Sequence, residues 1–338
     1  MPSLLHPPIP QAPTQQTRRV GVELEYGTLP LDATAQLIQA KLGGEWQVHN
    51  AFYHQVLGTE LGDFKLEIDS RLLTEKAYEQ PLRELGLDLK GTQVGDQTLE
   101  KVLEQLMGQT ASQLVPYEIA APPLPYDQLP RLDELRQALH EAGAEGTRGS
   151  LAFAFGLHLN PELPDHSAAS VLAHLRAFLI LYPWLLREGQ VDLTRRFSPF
   201  IDPFPQDYID LLFDADYQPD GPQLVADYHQ HNPDRNRPLD CYPLFTELWP
   251  EATQPLEAEI GKLNPRPTYH YRLPNCDIDR DDWSLLDEWN RWVAVEQLAQ
   301  ASAQLKDLMA AHQRQQADTW FNFSQQWHQY LTEHYFTT

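Results

Sequence analysis

Three segments of this chain set ionisable side chains at every second position between apolar ones. Val20-Gly21-Val22-Glu23-Leu24-Glu25-Tyr26 is the first, Phe64-Lys65-Leu66-Glu67-Ile68-Asp69 the second, and Ala152-Phe153-Ala154-Phe155-Gly156-Leu157-His158-Leu159-Asn160 the third. Side chains alternate between the faces of a strand, so Glu23 lies beside Glu25, Glu67 beside Asp69 and Lys65, and His158 beside Asn160. Val115-Pro116-Tyr117-Glu118-Ile119 adds a fifth carboxylate, and Thr268-Tyr269-His270-Tyr271-Arg272-Leu273 adds His270 and Arg272. Like charges crowded on one face destabilise a sheet unless a cation neutralises them. The pattern therefore predicts a metal site. Gly21, Ala120, Ala152, Ala154 and Gly156 leave room on the same face for something other than side chains. Oxygen-rich clusters suit Mg2+ or Mn2+, and an imidazole shifts the preference slightly toward Mn2+. The plain alternative for each strand alone is a solvated face, a salt-bridge row or a hydrogen-bonded structural histidine.

A second group of residues is cationic. His231-Asn232-Pro233-Asp234-Arg235-Asn236-Arg237-Pro238-Leu239-Asp240 holds two arginines in a turn-rich loop, Arg195-Arg196 precedes Phe197-Ser198-Pro199-Phe200, and Arg148 sits in a glycine-rich turn. Such arginines are candidate forks for phosphate or carboxylate. Internal pairing, for example Arg237 with Asp240, is the competing reading. Neither a Walker loop nor a dinucleotide-binding glycine fingerprint occurs, so a bound nucleotide would be held by metal and arginine.

The elements that must position these residues follow from periodicity. A helix is expected from Asp32 to Gly43-Gly44, a further strand within Glu45 to Leu57, and a helix around Leu99 to Met107. The strand carrying Glu118 is expected to close at Ala121-Pro122-Pro123-Leu124-Pro125 and, having an internal proline, to lie at a sheet edge or start. Helices are expected over Asp127 to Gly143 and Val171 to Leu186, the latter a core helix too interrupted by His174, Arg176 and Pro183 to span a bilayer. Short helices over Tyr208 to Phe213 and Leu224 to His229 would break the proline-rich stretch from Ser198 to Pro250. One long helix from Asp282 to about Gln313 and a second, aromatic-rich one complete the chain. Parallel strands read as continuous apolar runs, whereas these alternate. The fold class is α+β, with a mostly antiparallel sheet and helices on its apolar face.

The chain has 338 residues and a net charge of -23, which argues against nonspecific binding to nucleic acid or anionic membrane. Two distant cysteines, Cys241 and Cys276, form neither a metal knuckle nor a disulfide framework and point to a reducing, cytoplasmic setting. Residues 1–17 are expected to be a disordered leader, 18–280 a catalytic domain, and 281–338 helices packed on that domain. The long C-terminal helix could pair with another chain as a homo-oligomer.

The motifs Gly-Val-Glu-Leu-Glu, Glu-Ile-Asp-Ser, Tyr-Glu-Ile-Ala-Ala-Pro-Pro, Phe-Gly-Leu-His-Leu-Asn-Pro-Glu and Asn-Pro-Asp-Arg-Asn-Arg-Pro-Leu-Asp occur in this order over roughly residues 17–300. They resemble the amidoligases of the carboxylate-amine ligase superfamily, which includes glutamine synthetase and glutamate-cysteine ligase. The resemblance implies a sheet curved into a funnel, a glutamine synthetase-like catalytic fold with Mg2+ (or Mn2+) and ATP on its polar face. There a carboxylate is phosphorylated and an amine displaces phosphate, joining a small-molecule or peptide acid to an amine.

By the same resemblance Glu23, Glu25, Glu67, Glu118 and His158 are metal ligands, and His158 may equally hold nucleotide phosphate. Lys65, Asn160 and Arg272 share that polar face and are candidates for cofactor binding. Arg196, Arg235 and Arg237 are transition-state arginines, and Asp69 or Glu118 deprotonates the amine. The departure is the late strand, where related ligases carry another acid and this chain has His270. A metal-dependent hydrolase or phosphotransferase and a non-catalytic nucleotide-binding subunit are the competing functions.

Overall fold

A computed structural model describes residues 2–68, 93–94, 97–98, 116–148, 155–192, 195, 201–261, 263–318 and 322–336. In chain order the strands are β1 (Arg19–Tyr26), β2 (Glu45–Asn50), β3 (Tyr53–Thr59), β4 (Gly62–Ile68), β5 (Gln93–Val94), β6 (Gln97–Thr98), β7 (Tyr117–Pro125), β8 (Leu157–Pro161), β9 (Leu239–Asp240) and β10 (His270–Tyr271). The main helices are α1 (Leu31–Leu42), α2 (Leu129–Glu141), α3 (Ala168–Glu188), α4 (Gln206–Phe213), α5 (Gly221–His231), α6 (Tyr242–Leu248), α7 (Leu285–Gln300), α8 (Ser302–Asp318) and α9 (Phe323–His334). Eight strands form one sheet in the order β2-β3-β4-β7-β1-β8-β10-β9, and β5-β6 is a separate hairpin. Every described pairing is antiparallel. The fold is α+β, as the alternating patterns require.

The alternation does its expected work in β1, where Val20, Val22, Leu24 and Tyr26 are buried while Glu23 and Glu25 keep partial access to solvent. Phe64 and Leu66 of β4, Ile119 of β7 and Leu157 and Leu159 of β8 continue the apolar face. They share one core with Ala35 and Ile38 of α1, Leu132 and Leu135 of α2, Leu175 and Phe178 of α3, and Trp292 and Val293 of α7. Burying each such side chain is worth about 1.5–3 kcal/mol. α3, the most apolar stretch, spends its hydrophobic residues in this core. At the far side Tyr271 packs on Trp292 and Phe178, at 5.4 and 5.9 Å between ring centroids. That anchor turns its neighbours His270 and Arg272 to the opposite, polar face.

Several expectations change. β7 does not close at Pro122 and Pro123 but runs through them in the middle of the sheet, while Pro116 falls just ahead of the strand start, the second of the two places expected for it. The reason is local. β4 pairs only with Tyr117–Ala120, and opposite β1 the register slips, Val22 facing Ala121 but Val20 facing Leu124. Pro122 and Pro123 occupy that bulge, where no ladder donor is required. The strand expected within Glu45 to Leu57 is a hairpin of two, and the late strand shrinks to His270–Tyr271. The single long C-terminal helix is two, broken at Ala301, whose φ of -87° and ψ of 66° are not helical. Its N-cap is Ser284, which accepts from the Leu286 amide, and not Asp282.

The expected disordered leader is tied down. Trp289 Nε1 donates to the Leu5 carbonyl at 2.9 Å and Asn290 Nδ2 to that of Ser3 at 2.8 Å. Arg18 also reaches back to the Ile9 carbonyl. Backbone bonds from Ala12 to Gln16 and from Arg18 to Pro10 close the stretch on itself, and side-chain donors from α7 hold its start. The helix expected around Leu99 to Met107 and the start of the histidine segment, Ala152 to Ala154, lie outside the described residues.

Candidate functional site

Register converts the alternating acids into rows across the sheet. Glu67 on β4 faces Glu118 on β7, and Glu118 faces Glu25 on β1. Three carboxylates thus stand abreast on adjacent strands, their Cβ atoms about 5 Å apart. Glu118 is 4% exposed, so this charge is not simply solvated. The next row carries Lys65, Ala120, Glu23 and His158, where small Ala120 separates the lysine from the acid. A third row pairs Gly21 with Asn160 and His270 with Asp240.

Glu23 is the hub. His158 Nδ1 donates to its Oε2 at 2.9 Å, Asn160 Nδ2 to its Oε1 at 3.0 Å, and Arg266 approaches Oε1 at 3.4 Å. Burial opposes its charge, yet the His158 hydrogen bond and the charge of Arg266 prevail and hold the carboxyl well below the usual range. Glu25 accepts from the Gly156 amide at 2.6 Å, and its Oε1 lies 3.7 Å from His158 Nε2. His270 Nδ1 donates to Asn160 Oδ1 at 2.6 Å. Burial pushes this imidazole far below its ordinary value, against the pull of Glu23, so it is neutral at neutral pH.

Glu23, His158 and His270 each offer a ligand atom, all within 4.8 Å of one another. The oxygens of Glu25, Glu67 and Glu118 adjoin this trio through the sheet register. Oxygen donors in a row fit a hard divalent cation, and two imidazoles fit a transition cation. The residues present are therefore chemically suited to metal.

The cations expected around this face divide. Arg272 donates to the Arg235 carbonyl at 2.7 Å. Arg235 pairs with Asp240 through two bonds of 3.0 Å, taking the place expected for Arg237. Arg237 instead is buried, bonded to Asn232 Oδ1 at 2.8 Å and the Pro203 carbonyl at 2.9 Å. Its guanidinium is turned to its own loop and braces it, a structural position. Arg195, the neighbour of the residue singled out in the sequence, is buried beside the acids. Gly156 makes this possible, since a Cβ there would come within 2.5 Å of the guanidinium. Asp69 and Arg196 lie outside the described residues.

His270, given no role in the sequence, and Asp240, offered there only as a partner for an arginine, are what sequence reasoning missed. His270 was visible on a strand face with Arg272, but only the pairing of β10 with β8 and β9 shows that it reaches Asn160. Nothing local to Asp240 announces that it is fully buried opposite His270.

Residues 16–294 match a protein family described as putative amidoligase enzyme. No curated protein and no solved structure matches the chain.

Proposed function

Since the chain belongs to the putative amidoligase family, we propose that it is an ATP-dependent ligase that joins a carboxylate to an amine through an acyl phosphate. One observation carries the proposal: Glu67, Glu118 and Glu25 stand in register on three adjacent strands, beside Glu23 and His158. Such a row is costly for a sheet and suited to a divalent cation. Mg2+ or Mn2+ held there would neutralise the phosphate oxygens of ATP. Lys65 and Arg272 supply positive charge and Asn160 an amide at the flanks of the row, where a nucleotide's phosphates would be aligned.

The substrate carboxylate attacks the terminal phosphorus, ADP leaves, and the acyl phosphate forms. An amine nitrogen then attacks the acyl carbon, phosphate leaves with the C–O electron pair, and the amine proton passes to a carboxylate. Glu118, which is nearly enclosed, is assigned to take that proton, with Asp69 as the alternative. Arg196 and Arg235 are assigned to the charge that develops on the transferred phosphoryl group. The two buried free thiols, Cys241 and Cys276, fit a reducing cytoplasmic setting. A small molecule or a short peptide supplies the acid, and two copies of the chain could act together as a homo-oligomer.

Phosphate release from ATP, assayed with Mg2+ over pools of carboxylates and amines, tests the reading. Release that requires both an acid and an amine supports it, and Glu25→Ala should reduce it at least a hundredfold with the fold intact. Release that ignores the amine would make the protein a phosphotransferase or hydrolase.

A further inference from the structure

α2 and α7 pack on the apolar face of the sheet, away from Glu23 and His158. Where the end of α2 meets the start of α7 lie two adjoining cavities that the proposed reaction does not use. The larger, of about 400 Å3, is lined by Pro2, Arg136, Gln137, Asp281 and Trp283 among others. The smaller, of about 140 Å3, shares Arg136, Gln137 and Asp281 and adds His140.

Arg136 gives these cavities their chemistry. The residue is 4% exposed, yet it lines both. A guanidinium carries five N–H donors. Here Nε donates to Asp133 Oδ1 at 3.2 Å, and among the described residues no group accepts from Nη1 or Nη2. Because Nε is turned to Asp133, the two Nη groups are the donors left for the cavities. A buried donor is costly when unmated, and the end of a guanidinium fork matches the two oxygens of a carboxylate.

The surrounding charges decide which carboxylate. Asp133, fully buried, already balances Arg136, and it also accepts from Ser284 Oγ at 3.0 Å and the Leu285 amide at 2.9 Å. A bare anion would add a charge with no cation left to meet it. A zwitterion brings its own cation, and Asp281 stands at the rim to receive it. The Asp281 side chain is 98% exposed, with Oδ1 bonded to His140 Nε2 at 3.0 Å. Asp282 beside it is taken by Arg280, through bonds of 2.8 and 2.6 Å. Trp283 adds an apolar wall, since its Nε1 donates inward to Glu288 Oε1 at 3.2 Å and leaves ring carbon for the cavity.

We infer that this place binds a free α-amino acid with an apolar side chain, its carboxylate on Arg136, its ammonium on Asp281 and its side chain against Trp283. The inference does not rest on the ligase reading. It goes beyond that reading by giving the chain a second small-molecule site, built from residues outside the acidic face.

Calorimetric titration of the full chain with L-leucine tests it, with L-leucinamide lacking the carboxylate and isocaproate lacking the ammonium. Saturable binding of L-leucine is expected, and each of the other two should bind about tenfold more weakly or worse. Arg136→Lys keeps a cation for Asp133 but loses the fork, and should weaken L-leucine about 10–100-fold. Asp281→Asn, at an exposed position, should weaken L-leucine and leave isocaproate unchanged. Circular dichroism checks that both variants are folded, and if Arg136→Lys is not, Asp281→Asn decides alone. Glu25→Ala should bind L-leucine as the wild type does, whether or not the ligase reading holds. No binding of L-leucine at about 10 mM would overturn the inference. Equal binding of L-leucine and L-leucinamide, unchanged binding in either folded variant, or loss of binding in Glu25→Ala would do so as well.

Discussion

Two clusters of buried charge flank the same strand, and they are built on opposite terms. Arg18, one residue ahead of β1, forms a two-pronged pair with Glu296 of α7, both side chains 1% exposed. Further bonds tie the pair in: Arg18 Nε donates to the Glu162 carbonyl at 2.8 Å, and Trp292 Nε1 donates to Glu296 at 2.7 Å. Five residues along, Glu23 and Glu25 begin a face where carboxylates on adjacent strands oppose one another. The first cluster balances within the protein. The second sets like charges abreast, with Arg266 and Arg195 beside them. The two clusters therefore differ less in burial than in whether opposite or like charges are set face to face.

Breaking the closed cluster should have the largest effect. Glu296→Ala strands the Arg18 guanidinium in the core and should lower stability by about 3–5 kcal/mol in urea denaturation. A loss below about 1 kcal/mol would mean that the pair is not the closed unit described.

His312 sharpens the contrast with a buried group that has no charged partner. It packs edge-on to Phe213, Phe323 and Trp327, and burial pushes its imidazole down to about 4. The folded value lies below the unfolded 6.5, so as pH falls the unfolded chain takes up the proton first. Its contribution is complete above pH 6.5 and is lost toward pH 4, on the order of 3 kcal/mol at about 1.36 kcal/mol per pH unit. His312→Phe should flatten the stability profile in that window. Glu23 runs the same way in a lower window: its depressed value stabilises the fold above the ordinary carboxylate range, and that support goes as pH falls below it.

How much of this was legible in the sequence depends on how local each signal is. The two-residue alternation of β1 and β4 placed Glu23 with Glu25 and buried Val22 and Leu24, because side-chain direction in a strand is a property of the backbone. The abreast arrangement of Glu67, Glu118 and Glu25 was not legible, since register depends on strands far apart in sequence. Nor could the prolines of β7 be read as interior, because the bulge that admits them exists only opposite β1. The arginine loop shows the same limit. Its composition announced an ion pair with Asp240, but loop geometry gave it to Arg235 and sent Arg237 inward.

The smallest effect tests the open cluster from the stability side. Replacing one acid of the row by its amide removes a repulsion worth about 0.2–1 kcal/mol. Glu67→Gln should therefore raise the thermal midpoint slightly while lowering activity, the reverse of Glu296→Ala. Destabilisation by this amide would show that Glu67 contributes more by its contacts than it costs by repulsion.

The central claim is that the acidic face takes a metal-bound nucleotide. Equilibrium binding of ATP to the wild-type chain and to Glu118→Gln, with and without Mg2+, addresses it most directly. ATP bound by the wild type only when Mg2+ is present, and lost in folded Glu118→Gln, is the predicted result. Binding that is independent of Mg2+, or equal in the two proteins, would contradict it.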